Sequence, residues 1–253
     1  MIYSGAKMIE IPIDHVGRNY FPDVNDLYGR TIQSISLFPS VVPLSGKVSV
    51  NEEDYYGMSL NLTSDGSTYE VLNSPAIQYS AYYTLGKNVE VNQQLSLEHC
   101  YFDVQYLTQA GVIVAVLYFE ADKQYRADAK TDLDSTNSFD TPLLLGAGYR
   151  NYLPDNRDMV DKHFRGFLID STMQYSPNGQ PVDQYNLSPC YITLCKGSYA
   201  VIDRLPLQVF QQLWNIEKMR FDNIIFDFEQ SFIEVATNKE INLIINIQCT
   251  YER

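Results

Sequence analysis

Residues Thr31 to Phe38 alternate with a period of two, with Ile32, Ser34, Ser36 and Phe38 on one face and Ile35 and Leu37 on the other. That is the pattern of a half-buried strand, and Pro39, which cannot donate to a ladder, closes it. The same reading predicts strands at 8–13, 56–62, 67–72, 77–85, 88–91, 97–106 and 112–120. A second series follows at 141–145, 167–175, 190–195, 198–203, 224–228, 231–236 and 241–251. Turn-forming pairs separate them, among them Ser45-Gly46, Asp65-Gly66, Ser74-Pro75 and Ala110-Gly111 in the first series and Lys196-Gly197 and Asn238-Lys239 in the second. The one stretch with helical spacing is Leu207 to Met219, through Leu207, Phe210, Leu213, Trp214 and Ile216; among so many strands it predicts a short helix or 3-10 turn crossing a sandwich edge. Strands and helices do not alternate, which excludes a parallel α/β sheet.

The two series are copies. Residues 17–23 read Gly-Arg-Asn-Tyr-Phe-Pro-Asp and residues 149–155 read Tyr-Arg-Asn-Tyr-Leu-Pro-Asp, with five of seven positions identical. The spacing of about 132 residues persists along the chain. Met58 to Leu62 matches Cys190 to Leu194, Leu72 to Pro75 matches Asp203 to Pro206, and Leu97 to Val104 matches Phe228 to Val235. Leu117 to Glu120 then meets Cys249 to Glu252. A period this long is a duplicated domain, since solenoid repeats run about 20–50 residues. The expected organisation is a first sandwich with an N-terminal arm over 1–120, a polar linker over 121–137 and a second sandwich over 138–253. Seven or eight short strands per copy give an all-β chain of two tandem jelly-roll-like β-sandwich domains.

Composition sharpens this. Twenty Tyr and 12 Phe against one Trp suit strands and polar-tipped interfaces. The net charge of −13 disfavours direct binding to nucleic acid or to anionic lipid through a basic patch. No apolar stretch reaches the roughly 18 residues a membrane helix needs, and the start shows no secretory signal pattern. Cys100, Cys190, Cys195 and Cys249 form no CxxC pair and sit in apolar runs, as buried free thiols of a protein made in a reducing cytoplasm would.

The repeated motif has a structural explanation. Tyr20 and Tyr152 can pack their rings, Pro22 and Pro154 end the extended run, and Asp23 and Asp155 can form Asx turns. Arg18 and Arg150 can meet a carboxylate in fork geometry, and Asn19 and Asn151 complete the pattern. A ligand site built on the motif would have to occur twice.

Catalytic patterns are missing. His15, His99 and His163 form no metal-ligand cluster, and His99 aligns with Gln230. His99 and Cys100 would point to opposite faces if both lay in a strand, which defeats a nucleophile pair. There is no P-loop, nucleophile elbow or dinucleotide fingerprint. Glu52-Glu53-Asp54 lacks EF-hand spacing and reads as a solvated loop. The expectation is a non-enzyme with no cofactor and no metal.

The run Tyr20-Phe21-Pro22-Asp23, continued by Leu27-Tyr28-Gly29-Arg30-Thr31-Ile32, and the segment Phe228 to Val235 with its partner Leu97 to Val104, carry a resemblance. Together with the tandem architecture they resemble the double jelly-roll major capsid proteins of tailless, icosahedral, membrane-containing bacteriophages. The chain is small for that family and lacks room for long tower loops. The resemblance implies a homotrimer with a pseudo-six-fold outline that tiles an icosahedral shell in the virion, after synthesis in the host cytoplasm. Its partners would be itself and other virion proteins, with no direct contact to nucleic acid and an internal membrane in possible proximity. Two other classes fit the residues: a minor ring, vertex or cargo protein of a phage, and a tandem carbohydrate-binding β-sandwich using Tyr platforms.

Overall fold

The computed structural model describes residues 4–39, 41–64, 70–81, 89–125, 136–145, 150–153, 164–170, 189–207, 221–222, 225–236 and 241–251. Strands in the first half are β1 (Gly5–Ile13), β2 (Gly17–Tyr20), β3 (Thr31–Phe38), β4 (Met58–Thr63), β5 (Glu70–Pro75), β6 (Val89–Gln94), β7 (Tyr101–Val104) and β8 (Gly111–Phe119). Those in the second half are β9 (Thr136–Leu145), β10 (Arg150–Tyr152), β11 (Phe164–Asp170), β12 (Cys190–Lys196), β13 (Tyr199–Pro206), β14 (Phe221–Asp222), β15 (Phe232–Val235) and β16 (Ile241–Tyr251). The protein is all-β, with short 3-10 turns between strands.

Two compact units divide the chain. One is Met8–Glu120; the other joins Ala121–Arg253 to the first residues, Met1–Lys7. In the first unit the strands form a sheet in the order β1-β8-β3-β6 and a sheet in the order β2-β7-β4-β5. In the second they form β9-β16-β11-β14 and β10-β15-β12-β13. Strand for strand, β9 to β16 repeat β1 to β8, and both units are jelly-roll-like sandwiches related by duplication.

The N-terminal arm, expected with the first sandwich, lies with the second. Ala6 and Lys7 pair in parallel with Ile202 and Asp203 of β13, and Lys7 Nζ donates to Asp203 Oδ2 at 2.9 Å. The Ala121 N–H donates to Ser4 Oγ at 2.9 Å. Backbone and side chain together thus add the arm as a further strand. Within the stretch read as linker, residues 123–125 form a 3-10 turn, residues 126–135 lie outside the described residues, and β9 begins at Thr136.

The core of the first sandwich shows why these residues alternate. Ile9, Ile11 and Ile13 of β1, Leu60 and Leu62 of β4, Phe102 and Val104 of β7 and Ile113, Ala115, Leu117 and Phe119 of β8 converge between its sheets. Ile32 joins Ile35 and Leu37 in that core rather than sharing a face with Ser34. The reason is a bulge: Ile32 pairs with Phe119 and Ser34 with Tyr118, so Gln33 is the extra residue that shifts the alternation.

Three predicted strands differ. Residues 77–85 contain a 3-10 turn at Ala76–Tyr79, and residues 82–88 lie outside the described set. Residues 97–106 open with a 3-10 turn at Leu97–His99 before β7. Residues 224–228 run into the corresponding turn at Phe228–Gln230. In each the buried residues recur every second position, as Ile77 and Tyr79 do, and a single turn of that spacing mimics a strand. The helical-looking segment lies, apart from Leu207, at 208–220 or within it, outside the described residues.

Candidate functional site: a repeated edge motif

The motif forms the edge strand of one sheet in each sandwich. β2 pairs antiparallel with β7, setting Arg18 opposite Asp103, Asn19 opposite Phe102 and Tyr20 opposite Tyr101. β10 pairs with β15 in the same register, setting Arg150 opposite Glu234, Asn151 opposite Ile233 and Tyr152 opposite Phe232. Alternation sends Arg and Tyr outward and Asn inward. Tyr20 and Tyr152 are about half exposed, while Asn19 is buried.

On the outward side each Arg lies diagonally over the aromatic ring of the next strand. The Arg18 guanidinium sits 4.8 Å from the Tyr101 centroid, and that of Arg150 sits 4.6 Å from the Phe232 centroid. The motif tyrosines pack on the same rings, Tyr20–Tyr101 at 5.4 Å and Tyr152–Phe232 at 5.7 Å. The side-chain hydrogen bond with Tyr20, then the neighbouring Tyr101, raise the Arg18 pKa above its usual value. Such cation–π contacts are worth about 0.5–1 kcal/mol where exposed. Carboxylate pairing is looser than a fork: Arg150 Nε stands 3.8 Å from Glu234 Oε1, a single contact.

Inward, the two asparagines diverge. Asn19 organises the β1–β2 turn: its Oδ1 accepts from the N–H of Asp14 (2.9 Å) and His15 (3.4 Å), and its Nδ2 donates to the carbonyls of His15 (2.8 Å) and Gly17 (3.0 Å). Gly17 has φ 109°, which favours glycine in this turn. Asn151 Nδ2 instead donates to the Ile233 carbonyl at 3.0 Å. Pro22 is half-buried and Asp23 exposed; Pro154 and Asp155 lie outside the described residues.

Behind the motif a second equivalence appears that the sequence comparison did not single out. The Phe21 N–H donates to the Cys100 carbonyl, and the Leu153 N–H donates to the Ser231 carbonyl, both at 2.9 Å. The Cys100 thiol accepts from the Thr63 N–H at 3.4 Å and donates to the Ser96 carbonyl at 3.3 Å. The Ser231 hydroxyl accepts from the Cys195 N–H at 3.1 Å and donates to the Asp227 carbonyl at 2.8 Å. Thiol and hydroxyl fill one structural role. Cys100→Ser is therefore expected to fold with a stability change under about 1.5 kcal/mol. Ser231→Ala, which orphans a backbone N–H beside a fully buried side chain, costs about 1–3 kcal/mol. Urea denaturation of both variants checks the asymmetry.

Neither histidine side chain that is described joins a catalytic pair. His15 is exposed. His99 closes a 3-10 turn instead of lying in a strand, and its Nδ1 meets Ser96 Oγ at 2.9 Å. Cys100, next to it, is fully buried, so the two still diverge. His163 lies outside the described residues. Among the described residues no group of three His, Cys, Asp or Glu side chains could hold a metal ion. Burial raises the thiol pKa to about 11 at Cys100 and about 12 at Cys190, and raises that of Cys195. Only the backbone of Cys249 is described. At pH 8 iodoacetamide is expected to leave Cys100 and Cys190 unmodified in the folded protein and to label both in urea, as read by peptide mass spectrometry.

The acidic run at 52–54 is not uniformly solvated. Glu52 and Glu53 are exposed, but Asp54 is fully buried in the 3-10 turn Glu52–Gly57. Its Oδ1 accepts from the Thr108 N–H at 3.1 Å and the Thr108 hydroxyl at 2.6 Å, tying the β7–β8 loop to the β3–β4 connection.

Comparison with known proteins adds little to this geometry. No family model matches the chain, and no curated protein matches it. Among solved structures, a chain from the atomic structure of Sulfolobus turreted icosahedral virus aligns over 97% of this chain and 90% of its own length, at 10% identity and a TM-score of 0.26.

Proposed function

We propose that this chain is a structural protein of a virion: the major capsid protein of an icosahedral shell, assembled as homotrimers with a pseudo-six-fold outline. One observation carries the reading, the appearance of the same eight-strand order twice in succession within one chain. Two similar sandwiches in each of three chains supply six similar lobes, and closed symmetry is the usual way to satisfy such surfaces. The net charge of −13 suits a shell that does not itself bind the genome. The resemblance of the motif region to bacteriophage capsid proteins supports the same assignment. In this reading the partners are further copies and other virion proteins, the site of action is the virion, and no catalytic step or cofactor is involved.

Light scattering on the purified protein is expected to give three times the chain mass of 29.0 kDa, and electron microscopy to show pseudo-hexagonal capsomers. Particles from the native source should contain hundreds of copies; tens of copies would make it a ring or vertex protein. A stable monomer at high concentration with affinity for a glycan would replace this reading with that of a binding module.

A further inference from the structure

The duplication allows each outward sheet face to be compared with its counterpart, and the two faces bearing the motif differ in one respect. In the second sandwich the outward residues Phe232, Tyr191 and Thr193 are 5%, 0% and 3% exposed, and Pro206 is buried as well. Their face is covered within the folded chain. In the first sandwich the residues at the same register positions are open: Tyr101 and Ser59 are half-buried, and Pro75 is exposed. Around them Arg18, Tyr20, Asn73 and Asp103 are exposed.

Chemistry follows coverage. The covered face is aromatic and apolar at its centre, with Tyr191, Phe232 and Pro206. The open one places Ser59, Asn61 and Asn73 there, with Arg18 and Asp103 of opposite sign side by side on neighbouring strands. A face covered as the chain folds can be apolar. A face covered only after folding must stay soluble beforehand, and interfaces between separately folded partners are accordingly about as polar as ordinary surface.

We propose that the outward face of sheet β2-β7-β4-β5 is bound by a second copy of this chain, completing for the first sandwich the coverage that the second already has. The proposal deepens the shell reading and rests on it. A second copy is favoured because the face carries both charge signs, so that it complements a chain of like composition without accumulating repulsion. The contact is heterologous, since the equivalent face on the other sandwich is already filled, and a heterologous contact that closes makes a ring.

The test uses the full chain. Ser59→Arg and Asn73→Arg set a long cation in the middle of the face, and Glu52→Arg, an exposed position outside it, serves as control. Sedimentation at increasing concentration is expected to show both face variants dissociating at concentrations at least about 100-fold higher than wild type and the control, given the cost of burying an unpaired charge. Circular dichroism should be unchanged. A second readout needs no variant: nitration of Tyr20 and Tyr101 in wild-type protein should be suppressed when the protein is concentrated enough to associate and restored on dilution. Oligomers that form normally in folded face variants, or that leave Tyr20 and Tyr101 equally reactive, overturn this face and leave the shell reading standing. A wild-type chain that stays monomeric overturns both.

Discussion

Phe102→Ala lowers the stability of the first sandwich by about 3–5 kcal/mol. The side chain is fully buried at the centre of β7, and its ring stacks on Phe21 with centroids 5.6 Å apart. Leu60 flanks it from the opposite register position on β4. Truncation removes the transfer energy of the ring and leaves a cavity between two sheets, where the pairing of neighbouring strands limits collapse. Guanidinium denaturation should show an earlier transition for Met8–Glu120, and the same change at Tyr101, half-buried one residue earlier, should cost far less. Equal losses at the two positions would contradict the inward and outward assignment of β7.

Asp54→Ala is the second large effect, at about 2–4 kcal/mol. The carboxylate is buried and accepts both the backbone and hydroxyl hydrogens of Thr108. Its removal leaves that backbone N–H without its acceptor and frees the β7–β8 loop from the β3–β4 connection. Neighbouring links depend on the same approach: the Gln105 N–H donates to the Gly57 carbonyl at 2.8 Å, and the Tyr106 hydroxyl donates to the Glu53 carbonyl at 3.2 Å. Asp54→Asn, which keeps a carbonyl oxygen for Thr108, should cost roughly half as much. Hydrogen exchange at residues 105–110 is the direct measurement, with protection lost in the alanine variant and largely kept in the asparagine one.

Alternation made much of the fold legible. The limits read from the pattern for 31–38 and 241–251 coincide with β3 and β16, because both are long enough for a period of two to stand out. β2 and β10, of four and three residues, are too short for periodicity; the internal repeat located them where hydropathy could not. The 3-10 turns before β7 and β15 passed for strand because one turn with two buried ends has the same local pattern. The face assigned to Ile32 was wrong because a bulge at Gln33 leaves no mark in the order of apolar and polar residues.

The candidate surface was legible only in half. Duplication marked Arg18, Tyr20, Arg150 and Tyr152 as a set, but the rings beneath the arginines, Tyr101 and Phe232, are some 80 residues distant and follow from cross-strand register. The expected Arg–carboxylate fork gave way to an aromatic contact for the same reason. The buried state of Asp54 depends on Thr108, 54 residues away, and adjacent acidic residues give no hint of which one turns inward.

The arm that pairs with β13 also fixes an order of events during synthesis. Lys7 meets Asp203 across 196 residues, so the segment that leaves the ribosome first has no partner strand until most of the chain has been made. The residues from Met8 to Glu120 contain all the strands of one sandwich and can fold while translation continues. The other sandwich must wait for β13 and then recover a segment made at the very beginning. Closing so long a loop adds only a slowly growing entropic cost, but it makes the chain's first residues the last to find their place.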